Sequence, residues 1–128
     1  MIVNVTGVCR FDIEEEYVAE NGCRRAIVGY ERYLQDLTEL SDIDFDRKRL
    51  LDALDNYFYK HDLTPNWDEI NDASDARLIA ALTMVCPFNS REKQALLEMP
   101  SIESQSEMIT RLIEFANFEG ASPSYTKH

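Results

Sequence analysis

Glycine and histidine are both scarce in this chain, with four and two among its 128 residues. A loop that cradles phosphate needs several glycines close together, so glycines this few and this scattered exclude one. Gly-x-Ser-x-Gly and His-Glu-x-x-His are also absent. His61 and His128 have no third group at a spacing that makes a catalytic triad or a zinc site. His61 is read instead as serving the carboxyl end of a helix. Positive charge is short as well: 13 basic against 24 acidic side chains give a formal net charge of −11. That balance repels nucleic-acid phosphates and anionic membrane surfaces, so neither is expected as a partner. No apolar run approaches the roughly 18 residues of a membrane span, and Met1-Ile2-Val3-Asn4-Val5 lacks the charged start and apolar core of a signal peptide. The expected location is the cytoplasm. Three cysteines without a Cys-x-x-Cys spacing suit reduced thiols there. Cys9 and Cys23 could lie on neighbouring strands, but free, mostly buried thiols are the expectation.

What is present is an ordinary globular composition, 45% hydrophobic and 29% charged, in one domain's length of chain. The charge is spread, −5 over residues 1–43 and −6 over 44–128. Ile2 to Ile13 reads as a strand, with Gly7 marking a bulge. Glu14-Glu15-Glu16 and Ala19-Glu20-Asn21-Gly22 read as its end and a turn, and Cys23 to Tyr33 as a returning strand. Two strands alone are marginal in water, so their apolar face needs cover from the helices, another copy or further strands.

Gln35 to Asp46 is an acidic connector whose Asp42, Asp44 and Asp46 alternate. A calcium-loop reading fails, because the places that need Gly and a bidentate Glu hold Arg47 and Ala53. The acids are expected to cap the following helix and oppose its dipole. Its apolar stripe is Leu50, Leu51, Leu54, Tyr57 and Phe58. Pro65 suits a first helical position, and Trp67 is expected as a core plug rather than a ligand-stacking residue. Ser74 caps the next helix, with the stripe Leu78, Ile79, Leu82, Val85 and Cys86, and Pro87 ends it. Asn89 with Glu92 makes a capping box for another helix. The last long helix starts near Ser101 or Ser104, buries Met108, Ile109, Leu112, Phe115 and Ala116, and stops at Gly120. Paired carboxylates such as Glu14 to Glu16 carry no catalytic information in so acidic a chain.

Cys86 to Pro100, Cys-Pro-Phe-Asn-Ser-Arg-Glu-Lys-Gln-Ala-Leu-Leu-Glu-Met-Pro, resembles the PF-x-x-x-EKQALLE-x-P segment of bacterial LON substrate-binding domain proteins. These are stand-alone relatives of the amino-terminal domain of the ATP-dependent protease Lon. Thr6-Gly7-Val8-Cys9-Arg10-Phe11 resembles the family's TGVCRF strand, and Asn66-Trp67-Asp68-Glu69-Ile70 its DWE-x-I turn, in the same order. The resemblance implies that these strands close a small pseudo-barrel whose earlier strands precede them. A shortened chain whose open sheet edge finds a substitute partner is therefore expected. It also implies the recognition part of a Lon protease without its ATPase or peptidase modules.

The expected fold is α+β: an antiparallel hairpin or partial pseudo-barrel followed by a four- to five-helix bundle. Residues 1–43 are its residual β part, 44–120 the bundle and 121–128 a flexible tail. The expected function is non-catalytic recognition of unfolded or exposed hydrophobic polypeptide segments, with no cofactor, no metal and no catalytic residue. Candidate contacts are the strand aromatics Phe11, Tyr17, Tyr30 and Tyr33, some of which must face inward. The alternative is an interaction module that docks a specific partner or self-associates through its strand edge. A small-molecule enzyme using acidic residues is the weakest reading.

Overall fold

In the computed structural model, which describes residues 1–38 and 43–121, a turn after Ala19 sets the register of the amino-terminal part. The Ala19 amide donates to the Cys23 carbonyl and the Gly22 amide to the Ala19 carbonyl, both at 2.8 Å. Gly22 takes φ of +83°, which only glycine adopts without strain, and Asn21 Oδ1 accepts from the Cys23 amide at 3.1 Å. From this turn β1 (Asp12–Val18) and β2 (Arg24–Gly29) pair antiparallel, Val18 opposite Arg24 and Asp12 opposite Gly29. A register shift between Ile13 and Glu15 leaves Glu14 as the bulged residue.

This corrects the expected first strand. Residues 1–11 lie outside any strand, Gly7 marks no bulge, and Glu14 to Glu16 sit within β1 rather than at its end. The reason is that β2 stops at Gly29, where Tyr30 turns the chain into a kinked 3-10 helix (Glu31–Leu37), so residues before Asp12 have no opposing backbone in β2. The expected second strand is shortened at the same point. The alternation rule failed here because β1 has no buried face to impose it, and its side chains are almost all exposed.

The chain divides into two compact units, one of residues 1–39 and one of residues 40–128. In the first, Tyr33 is the buried apolar side chain among the described residues, lying under the Arg10 and Arg32 guanidinium groups at 4.4 and 5.3 Å. Arg10 also forks onto Asp36, Nε to Oδ2 at 2.9 Å and Nη2 to Oδ1 at 2.8 Å, while its own amide donates to Oδ2 at 2.9 Å. These hydrogen bonds hold the Asp36 carboxyl below its usual range.

Among the described residues the second unit contains five helices: α1 (Arg47–Lys60), α2 (Trp67–Asp72), α3 (Asp75–Val85), α4 (Ser90–Glu98) and α5 (Ile102–Ala121). The fold is α+β, as expected. Caps start the helices where polar residues precede apolar stripes. Asp46 accepts from the Arg49 amide, Ser74 from Arg77, and Asn89 and Glu92 form the expected capping box. Asn66 caps α2, which moves Pro65 outside the helix, and Ser101 rather than Ser104 caps α5, accepting from the Ser104 amide at 3.1 Å. Asp42 and the tail from residue 122 lie outside the described residues.

The core is built from Leu50, Leu54, Tyr57 and Phe58 of α1, Leu78, Ile79 and Leu82 of α3, Cys86, Phe88, Leu96, and Ile109 and Ile113 of α5. α5 packs against α1, α3 and α4. Its inner face carries two hydroxyls that return their hydrogen bonds to the helix, Thr110 to the Ser106 carbonyl and Ser106 to the Glu103 carbonyl, so neither is orphaned. Phe115, expected in this core, is exposed, because the buried face runs through Ser106, Ile109, Thr110 and Ile113. Nor does Gly120 end the helix, which continues to Ala121. Burial pushes the Cys86 thiol and the Tyr57 hydroxyl each up to about 12.

Candidate functional site

Two surfaces collect the residues that could meet a polypeptide. The first is the hairpin unit, where Phe11, Tyr17 and Tyr30 are each roughly half exposed and Tyr33 is 4% exposed. Phe11 and Tyr30 come together edge to face, with ring centroids 6.4 Å apart. Tyr17 lies in β1 opposite Arg25, away from that pair in the ladder. Tyr33 is the inward-facing member of the set and offers no surface. Ile2, Val3, Val5, Val8 and Ile13 are also exposed. Among the described residues, β1 and β2 pair only with each other, so each has an open edge.

The second surface is a groove of about 600 Å³ within the helical unit. Its construction begins at the end of α1. His61 caps the carboxyl end of the helix, as expected, and its ring lies tilted against Tyr57 with centroids 4.3 Å apart. Asp62 then adopts φ of +58°, the Leu63 amide donates to the Phe58 carbonyl at 2.9 Å, and the Asp62 amide to the Tyr59 carbonyl at 3.3 Å. This is a Schellman termination with aspartate in the usual glycine place. It turns the chain sharply, so that Phe58, Leu63 and Pro65 line one end of the groove.

α2 forms the next wall, and Arg47 holds it. The Arg47 guanidinium donates through Nη2 to the Ile70 carbonyl at 2.8 Å and the Ala73 carbonyl at 2.9 Å. Through Nη1 it reaches Asp75 Oδ1 at 2.6 Å. One side chain of α1 thereby satisfies carbonyls left over at the end of α2 and fixes the first residue of α3. Trp67, on the same short helix, is partly buried against Phe58 with centroids 6.3 Å apart, as a plug would be.

α3 supplies the opposite wall through two stripes. Leu78 and Leu82 reach the groove from the core side, while Arg77, Ala81 and Val85 follow at four-residue intervals on the outer side. This accounts for Val85, which was expected in the core stripe and is 60% exposed: it borders the groove. Sequence reasoning assigned no function to this region. The available signal was that α3 is apolar around more of its circumference than one packed face requires.

Chemically the groove is an apolar trough with a polar lip. Among the described residues its lining contains no histidine, cysteine, serine or lysine. Among the described residues no group of three His, Cys, Asp or Glu side chains could hold a metal ion, and no helix is long and apolar enough to cross a membrane. Cys9, Cys23 and Cys86 are free thiols, of which only Cys86 is buried; exposed Cys23 corrects the expectation that they are mostly buried. A trough of this size and lining offers room for apolar side chains.

A family model for the ATP-dependent protease La (LON) substrate-binding domain matches residues 1–114. No curated protein and no solved structure matches the chain.

Proposed function

The chain belongs to the LON substrate-binding domain family, and from that premise we propose that it is a non-catalytic module for unfolded or exposed hydrophobic polypeptide segments. The family match carries this reading, since it assigns substrate recognition to a domain type separate from the chemistry of proteolysis. The groove between α2 and α3 and the exposed Phe11–Tyr30 pair support it, because each presents apolar surface of the kind such segments occupy. Free thiols and the absence of a long apolar helix among the described residues fit a cytoplasmic place of work.

The test is fluorescence anisotropy of a labelled, permanently unfolded polypeptide titrated with the whole chain at physiological salt, with the folded counterpart as control. Selective micromolar binding of the unfolded form is expected. Binding of neither form, or equal binding of both, overturns the proposal. A second reading rests on the open edges of the two-stranded sheet: self-association by strand pairing. Sedimentation equilibrium of the whole chain checks it, a discrete dimer being the result in favour and a monomer at all concentrations the result against.

A further inference from the structure

The groove wall formed by α2 and its flanking turns is one-sided in charge. Between residues 62 and 75 the chain carries Asp62, Asp68, Glu69, Asp72 and Asp75 and no lysine or arginine. Only Asp75 has an ion-pair partner among the described residues. Glu69 and Asp72 stand three positions apart on α2, both line the groove, and both are exposed. Among the described residues, Arg77 is the one cation that lines the groove. The lip is thus net negative above an apolar floor of Phe58, Ile70, Leu78 and Leu82.

Resting on the recognition reading, we propose that this groove selects polypeptide segments in which lysine or arginine flanks the apolar side chains. An apolar side chain seated on the floor brings its neighbours to the lip, where it strips water from Glu69 and Asp72. A basic neighbour offsets that loss by pairing with the carboxylates, whereas an acidic neighbour meets like charge on top of desolvation. The net charge of −11 acts in the same direction at longer range, raising the encounter rate of basic segments. Apolar burial supplies affinity, and the lip supplies the choice between segments of equal hydrophobicity.

The experiment uses the whole chain and two labelled unfolded probes of identical apolar content, one with lysines and one with glutamates beside each apolar residue. Two exposed pairs at the lip predict roughly five- to tenfold tighter binding of the lysine probe at physiological salt, shrinking at high salt. The double variant Glu69→Lys with Asp72→Lys reverses the preference. Ala81→Trp, which fills the groove from an exposed position on α3, weakens both probes. Far-ultraviolet circular dichroism establishes that each variant is folded. Equal binding of the two probes, or a ratio untouched by the charge reversal, overturns the selection while leaving recognition of unfolded chains standing. Undiminished binding of the lysine probe by folded Ala81→Trp overturns the groove as its location. Absence of binding to either probe overturns the recognition reading and this inference with it.

Discussion

Arg47→Ala is expected to unlatch α2 and to be the most damaging surface-facing substitution in the helical unit. The wild-type guanidinium, with about a quarter of its side chain exposed, makes two strong bonds to carbonyls and one to a carboxylate. Bonds to charged groups are worth about 1.5–3 kcal/mol each when measured by deletion. The Ile70 and Ala73 carbonyls and Asp75 are only partly shielded, so water recovers part of that on truncation. A net loss of about 2–3 kcal/mol follows. For a domain of this size it lowers the melting temperature by roughly 10–20 °C. The assay is urea unfolding followed by circular dichroism and by fluorescence of Trp67, which is the sole tryptophan and sits on α2. The Trp67 signal should change at lower urea than helicity does, because α2 is the element released. Arg47→Lys should recover only part of the loss, since an ammonium cannot span carbonyls and carboxylate in the same fork. Lys48→Ala, next in sequence but with an exposed side chain paired to Asp52, should shift stability by less than about 0.5 kcal/mol. If Arg47→Ala matched Lys48→Ala, the latch would have no energetic content and the reasoning would fail.

Asp62→Gly should stabilise the protein by about 0.5–1 kcal/mol, because it relieves a left-handed backbone and removes an acid from the carboxyl end of α1. A melting temperature unchanged or lowered counts against that account. Exposed Cys23 should react with a thiol reagent at pH 8, whereas Cys86, pushed up to about 12, has roughly one part in ten thousand as thiolate and should react only in denaturant; rapid modification of Cys86 in the native protein would contradict its burial. The Asp36 carboxyl, lowered by Arg10, contributes stability that is present above the ordinary aspartate value of about 3.9 and is lost as pH falls through its own lower one. A carboxyl-carbon titration by NMR should place Asp36 below that ordinary value and move it back up in Arg10→Ala. A midpoint indifferent to Arg10 refutes the pairing.

Where helix caps and stripes coincide, local chemistry alone fixed the outcome. Asn89 and Glu92 satisfy each other's backbone whatever surrounds them, and the Leu50 to Phe58 stripe has one face to bury. The resemblance carried by residues 86–100 was legible for the same reason, being a cap, a stripe and a proline at fixed spacing. Strand limits were not legible, because β1 packs no face that would enforce alternation, and its extent follows from a turn at Gly22 and from where β2 ends. Nor could the sequence divide α3 into a core stripe and a groove stripe: Leu82 and Val85 are both apolar, and the packing of α3 on α5 covers the first while the placement of α2 sets the other wall of the groove. That placement depends on Arg47 reaching more than twenty residues along the chain to carbonyls that any helix end exposes. Periodicity and capping are written in neighbouring residues and so were determined by the sequence. The groove, the inward turn of Tyr33 and the gathering of Glu69 and Asp72 at the lip depend on which distant backbone groups meet, and only the tertiary structure decided them.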